Sequence, residues 1–129
     1  MVKVYSRTAI SSEEKPILWI SSSLDDLRNF PDDVKRLMGQ ALNDAQHGGR
    51  HPRAKPLKGF SGASVLEVVD DFDGDTFRTV YTVKFSGVVY VLHAFQKKSK
   101  RGNATPAKEI ELVRQRLKTA EAHAKEKRV

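Results

Sequence analysis

The segment VLEVVDDFDGDTFRTVYTVKFSGVVYVLHAF, residues 65–95, decides the fold because it reads as three consecutive β-strands. Residues 65–72, 76–85 and 88–95 are rich in the Val, Tyr, Phe and Thr that are typical of strands. Asp73-Gly74 and Ser86-Gly87 separate these runs, and Asp and Gly tolerate the positive φ that tight hairpin turns need. The segment therefore predicts two successive hairpins in a small antiparallel sheet.

The flanking sequence predicts one further strand and three helices. Residues 17–20 form an apolar run typical of a first strand, and Ser23 with the acids behind it favours a short helix. Pro31 opens a second helix, whose apolar positions recur at helical spacing: Val34, Leu37, Met38, Ala41, Leu42 and Ala45. Thr105-Pro106 opens the last helix, whose apolar positions are Ile110, Val113, Leu117 and Ala120.

The order β-α-α-β-β-β-α predicts the α+β fold class, a small antiparallel sheet with the helices packed on one side. Residues 50–58 are interpreted as a Pro-interrupted basic loop. We expect a flexible arm or a short edge strand at 1–15, one domain at 16–118, and a charged tail that frays at 119–129.

The composition excludes several function classes. The 129 residues contain no cysteine, which excludes a disulfide framework and thiol catalysis. The four histidines lack a ligand spacing, so neither a metal site nor a cofactor is expected. The apolar runs are far shorter than the roughly 20 residues of a membrane helix, and the N-terminus does not resemble a secretory signal. We therefore expect a cytoplasmic protein without membrane contact.

Positive charge is concentrated near the end of the chain. The 23 Lys and Arg residues against 16 Asp and Glu give a formal net charge of +7. Residues 1–92 carry equal numbers of bases and acids, so the whole excess belongs to 93–129. A concentrated positive field attracts polyanions such as nucleic acids. A solvated tail that only keeps the protein soluble has the same composition, so charge alone leaves both interpretations open.

Basic side chains around the predicted sheet are the candidates for chemistry, and we expect them to converge on one concave surface. In chain order they are Lys55 and Lys58 before the sheet, Arg78 on the middle strand, His93 near the end of the last strand, and Lys97 and Lys98 after it. Clustered cations can stabilise the charge that develops when a hydroxyl attacks a phosphodiester, and a lysine among them can serve as acid or base. RNA supplies that hydroxyl itself, at its 2′ position.

Each candidate also has a purely structural interpretation. Arg78 can pair across the hairpin with Asp70, Asp71 or Asp75. His93 can be a half-buried structural histidine. The basic run 97–101, like the loop lysines, can be solvated surface.

Five segments, in this order, resemble the RelE/ParE toxin superfamily and, more narrowly, its phage-derived HigB-like branch. They are KPLKGF (55–60), VLEVV (65–69), FRTVYTV (77–83), VYVLHAFQKKS (89–99) and TPAKEIELVRQRL (105–117). The resemblance covers about residues 16–118. It implies a small sheet against which helices pack, a toxin encoded beside an antitoxin and, for many members, cleavage of messenger RNA in the ribosomal decoding site.

The resemblance also implies roles for individual residues. The family's arginine on the central strand matches Arg78, its basic residues after the last strand match Lys97 and Lys98, and its basic loop residues match Lys55 and Lys58. His93 fits the motif of the HigB-like branch, and we expect Arg78, Lys97, Lys98 and His93 to be the catalytic residues. The aromatic C-terminal residue of some relatives has no counterpart, because the last aromatic is Phe95. We expect Phe95 instead to stack on a base, and we expect further RNA or phosphate contacts from Arg53, Lys100 and Arg101.

The resulting hypothesis is a ribosome-dependent mRNA endoribonuclease, the toxin of a type II toxin–antitoxin pair. Arg78 and Lys98 would stabilise the transition state, and Lys55, Lys58 or Lys97 would act as acid, base or phosphate clamp. The expected partners are an antitoxin of the helix-turn-helix type, the ribosome and mRNA, with operator DNA reached only through the antitoxin. Two alternatives stay open: a non-enzymatic, ParE-like inhibitor of DNA gyrase, and a nucleic-acid-binding phage accessory protein.

Overall fold

The structure, a computed structural model of the chain, describes residues 14–97 and 104–127 and the backbone of residues 2–5. Within these ranges the helices are α1 (Ser23–Arg28), α2 (Asp32–Gln46) and α3 (Ala107–Glu126). The strands are β1 (Val2–Tyr5), β2 (Ile17–Ile20), β3 (Ala54–Pro56), β4 (Val65–Phe72), β5 (Asp75–Thr82) and β6 (Val89–Lys97). Within the described ranges, none of the helices has the length and apolar character needed to cross a membrane.

All of these strands belong to one sheet, in the order β1-β2-β6-β5-β4-β3. The predicted hairpins are confirmed, because β4, β5 and β6 pair antiparallel in sequence order. Asp73 and Gly74 both have positive φ, as a tight hairpin turn requires. The α+β class is confirmed, but the sheet is mixed, because β2 pairs parallel with β6. A parallel pair needs a long crossover connection, which residues 21–88 supply.

Apart from shifts of a few residues at the ends of β5 and β6, two segments differ from the expected elements, β3 and the end of α3. β3 lies inside the range predicted as a loop, where it pairs with β4 at the sheet edge and ends at Pro56, a position that tolerates proline. Residues 2–5 pair with β2 at the other edge of the sheet, which is the short edge strand named as one of the two expectations for residues 1–15. α3 continues to Glu126, into the range expected as a frayed tail, because Ala120 is fully buried and Tyr90 hydrogen-bonds to His123 at 2.7 Å.

Helices cover both faces of the sheet, so the expectation of helices on one side is wrong. One core joins α1 and α2 to the sheet, and it contains the predicted α2 stripe of Val34, Met38 and Ala41, all fully buried. The other core joins α3 to the opposite face through Val113 and Ala120. The prediction failed because the face of β5 that carries Arg78 is not entirely polar. Strand residues alternate between faces, and Val80 on the Arg78 face is apolar and is buried in the core beneath α3.

A β-bulge in β6 changes which face His93 occupies. Val80 of β5 pairs with His93, whereas the next residue, Tyr81, pairs with Val91. Leu92 and His93 therefore share one position opposite Val80, which shifts the alternation of β6 by one residue. In a regular strand His93 would face α1 and α2 together with Val91. The bulge turns its side chain to the α3 face, where Val80 and Arg78 also lie.

The buried face of α2 should carry a large share of the stability. We expect Met38→Ala, which opens a cavity at a fully buried position, to lower the free energy of unfolding by about 2–5 kcal/mol. The matched control is Arg36→Ala on the exposed side of the same helix, which should change it by about 0.5 kcal/mol or less. Urea unfolding measures both, and equal effects would contradict the packing described for α2.

Candidate functional site

An open groove of about 970 Å³ lies on the α3 face of the sheet, between β3, β4, β5 and the start of α3. Its walls come from residues that are far apart in sequence and meet because the register of the three strands places them on one face. The charged side chains that line it are Arg53, Lys55, Lys58, Glu67, Asp71, Asp75 and Arg78. Thr105 and Ile110 close it from the side of α3.

Arg78 lies at the base of the groove and is almost completely buried, with 3% of its surface exposed. Its Nη1 donates hydrogen bonds to Glu67 Oε1 at 3.0 Å and to Thr105 Oγ1 at 3.3 Å. Arg78 therefore pairs with an acid on the neighbouring strand, as its structural interpretation predicts. That acid is Glu67, whereas the sequence suggested Asp70, Asp71 or Asp75. Glu67 and Arg78 are diagonal neighbours on one face, since Val80 pairs with Glu67 two residues beyond Arg78.

Three further predicted cations stand at the rim. Lys55 on β3 and Lys58 after it are exposed and line the groove, so the structure brings them together with Arg78 as expected. Lys55 pairs with Glu67 across β3 and β4, which sets its side chain on the same face as the Glu67–Arg78 pair. Arg53 also lines the groove, and its guanidinium forms an ion pair with Asp70 at 2.9 Å.

The end of the groove nearest the β4–β5 turn is acidic. Asp71 accepts a hydrogen bond from the Thr76 hydroxyl at 2.8 Å, and Asp75 accepts one from the Gln96 amide at 2.8 Å. The groove therefore has a cationic half around Arg78 and an anionic half at the hairpin end. Among the described residues, no group of three or more His, Asp or Glu side chains is arranged to hold a metal ion.

The residues predicted after β6 are only partly described. The ammonium group of Lys97 donates to the backbone carbonyl of Ala104 at 3.1 Å, which links the end of β6 to the approach of α3. Lys98, Lys100 and Arg101 lie outside the described residues. The structure therefore places Lys97 beside the groove, and the predicted roles of the other three stay predictions.

His93 lies under α3 and does not line the groove. Its Nε2 is 3.0 Å from Glu109 Oε1, and its Nδ1 is 3.1 Å from Arg116 Nη1. Because an arginine can only donate, Nδ1 must accept and Nε2 must carry the proton, which makes the imidazole neutral. Burial lowers the pKa of His93, and the nearby Arg116 charge acts in the same direction, whereas the Glu109 hydrogen bond opposes it. The location matches the structural interpretation of this histidine.

Phe95 is also enclosed by the protein. Its ring is buried in the core beneath α3 and stacks on His93, with the ring centroids 4.8 Å apart. The bulge that turns His93 to this face is what brings the two rings together. Phe95, which we expected to stack on an RNA base, therefore does not present its ring in the groove.

Sequence reasoning missed two residues of the site, Glu67 and Thr105. Glu67 is a lone acid inside the apolar run VLEVV, and such a break in a buried strand signals a paired charge. The sequence predicts Thr105 only as a helix opener. Its hydroxyl instead donates to Glu67 Oε2 at 2.5 Å, so both oxygens of that carboxylate are hydrogen-bonded.

The fold and this groove define a small α+β protein with a cationic half-groove built around a buried arginine. The model of the phage-derived Gp49-like protein family (DUF891) matches residues 25–118, and the chain belongs to this family. The family is associated with RelE-like toxins of toxin–antitoxin systems. No curated protein and no solved structure gives a significant match to the chain.

The Glu67–Arg78 pair should be strongly coupled. Each single alanine substitution leaves one buried charge uncompensated, and we expect it to lower the free energy of unfolding by about 3–5 kcal/mol. The double variant should cost less than the sum, with a coupling of about 0.5–3 kcal/mol. The control is the same set of single and double alanine variants at the exposed Asp32–Lys35 pair, for which the coupling energy should be about 0–1 kcal/mol. Additive effects at Glu67 and Arg78 would argue against the pair.

His93 should make the protein less stable in mild acid. Its lowered pKa means that the unfolded chain binds a proton at a higher pH than the folded protein does. Its contribution is complete above the unfolded pKa of about 6.5 and is lost as the pH falls through the folded pKa. We expect Tm to drop between about pH 7 and pH 5, and to drop less steeply in His93→Gln. Calorimetry tests this, and identical slopes would show that His93 does not titrate as described.

Proposed function

We propose that this protein is the toxin of a type II toxin–antitoxin pair and that it cleaves messenger RNA on the ribosome without a metal ion. The observation that carries the proposal is the convergence of Lys55 and Lys58 on the buried Arg78 in one open groove. Membership of a family associated with RelE-like toxins supports the toxin role. The resemblance to the HigB-like branch supports ribosome dependence, action in the cytoplasm, and binding of operator DNA only through the antitoxin.

The groove suits a phosphodiester that bends around its cationic half. Lys55 and Lys58 are exposed and can approach a phosphate from the rim, while Arg78 meets it at the base. The N-terminus of α3 also faces this groove, and the positive end of a helix dipole favours an anion there. RNA differs from DNA in carrying its own nucleophile, so a site made of cations and one carboxylate is sufficient.

The proposed reaction is an internal transesterification. The 2′-oxygen forms a bond to the adjacent phosphorus and the bond from phosphorus to the 5′-oxygen breaks, which gives a 2′,3′-cyclic phosphate and a 5′-hydroxyl. The Glu67 carboxylate, held beside Arg78, receives the proton of the 2′-hydroxyl. A lysine ammonium group, from Lys55 or Lys58, gives a proton to the departing 5′-oxygen. Arg78 stabilises the extra negative charge on the phosphoryl oxygens.

The test is to map transcript ends after induced expression and, with purified protein, on programmed ribosomes. Arg78→Lys keeps a charge beside Glu67 but loses the planar donor pair, and we expect it to reduce the cleavage rate about 10²–10³-fold. The double variant Lys55→Ala/Lys58→Ala should weaken RNA binding. Lys35→Ala on α2, on the opposite face of the sheet, is the control and should cleave like the wild type.

The other outcomes separate the alternatives. New 5′ ends on translated messages, lost in Arg78→Lys and absent without ribosomes, support the proposal. Growth arrest with intact messages and blocked gyrase would replace it with the ParE-like inhibitor. Nucleic-acid binding without arrest would leave an accessory protein.

A further inference from the structure

Thr105 makes contacts that its position in the sequence does not require. It precedes Pro106, the N-cap residue of α3, so it lies one residue outside the position from which a threonine side chain accepts a hydrogen bond from the first turn of a helix. Within the described residues α3 has no side-chain cap hydrogen bond. The Thr105 hydroxyl points instead into the groove, where it donates to Glu67 and accepts from Arg78.

These two bonds complete a closed arrangement of three side chains from three elements. Arg78 Nη1 lies 3.0 Å from Glu67 Oε1 and 3.3 Å from Thr105 Oγ1, and Thr105 Oγ1 lies 2.5 Å from Glu67 Oε2. A hydroxyl has one proton to donate and lone pairs to accept, so it can satisfy a carboxylate and a guanidinium at once. Neither valine nor alanine can do this.

The consequence is that α3 sets the orientation of a pair that belongs to the sheet. The bond from Nη1 to Glu67 holds one corner of the guanidinium of Arg78 from the side of β4. The hydroxyl gives Nη1 a second acceptor and also immobilises the far oxygen of the carboxylate. Charge stabilisation depends on donors that are oriented before the reaction, so a small rotation of Arg78 is expected to affect the rate more than the binding.

We propose that Thr105 is a positioning residue, which acts through Glu67 and Arg78 to hold the guanidinium in its productive orientation. This inference rests on the proposed nuclease function for its kinetic consequence, but the orientation itself can be measured without any substrate.

The test uses three variants of the full chain. Thr105→Val keeps the shape and removes the hydroxyl, Thr105→Ser keeps the hydroxyl, and Thr119→Val makes the same change further along α3, where the hydroxyl donates to the Gln115 carbonyl of its own helix. We expect Thr105→Val to lower kcat on programmed ribosomes about 10–100-fold, with KM within about twofold. Thr105→Ser and Thr119→Val should both stay close to the wild type.

A second measurement follows Arg78 directly by NMR, through the exchange of its side-chain N–H protons with solvent. We expect faster exchange in Thr105→Val and wild-type exchange in Thr105→Ser. A wild-type kcat in Thr105→Val, or an equal loss in Thr105→Ser, would overturn the inference. If the wild-type protein cleaves no RNA, the proposed function fails, and the exchange rates decide alone: unchanged exchange in Thr105→Val refutes the positioning role, and selective acceleration supports it.

Discussion

The site depends on how the protein accommodates one guanidinium on a sheet face that a helix covers. Placing the charge of Arg78 almost out of water carries a large cost unless a carboxylate and further hydrogen bonds compensate it. Glu67 supplies the charge from β4 and Thr105 supplies the hydroxyl from the start of α3. The pairing register of β4 and β5 and the position of α3 are therefore linked through the same three side chains.

The docking of α3 has a second polar support further along the helix. Arg116 donates to the carbonyl of Leu92, to Nδ1 of His93 and to the hydroxyl of Ser22, so it connects α3 with the bulge of β6 and with the turn before α1. Glu109, one turn beyond Thr105, binds the other nitrogen of His93. A β-bulge interrupts the hydrogen bonds between two strands at one point. Here the backbone carbonyl of Leu92 and the imidazole of His93, which both lie at the bulge, are hydrogen-bonded by residues of α3. The bulge thus supplies two of the polar contacts that hold α3 on this face of the sheet.

Much of this architecture can be predicted from the sequence, and the failures have physical causes. The hairpin turn at Asp73-Gly74 and the apolar stripe of α2 are local patterns, and both are confirmed. The face of His93 and the burial of Phe95 depend on a one-residue bulge, which arises only when β6 pairs with β5. The partner of Arg78 depends in the same way on the register of β4, which composition does not reveal. The sequence predicts Lys55 and Lys58 as groove cations because their place before the sheet does not depend on the register in which the strands pair.

The distribution of charge separates two tasks within the site. Because Glu67 neutralises Arg78 at close range, the pair contributes little to the field that a distant polyanion experiences, and it acts only on a group in contact with it. Long-range attraction must come from exposed cations such as Lys55 and Lys58 and from the basic excess that the sequence concentrates in residues 93–129. Salt should therefore screen the approach of RNA far more than the chemistry at Arg78, since exposed charges are screened and buried pairs are screened much less. Arg78 can therefore be held rigidly by Glu67 without slowing the association of RNA with the protein. The exposed lysines at the rim and the basic residues at the end of the chain provide the attraction for that association.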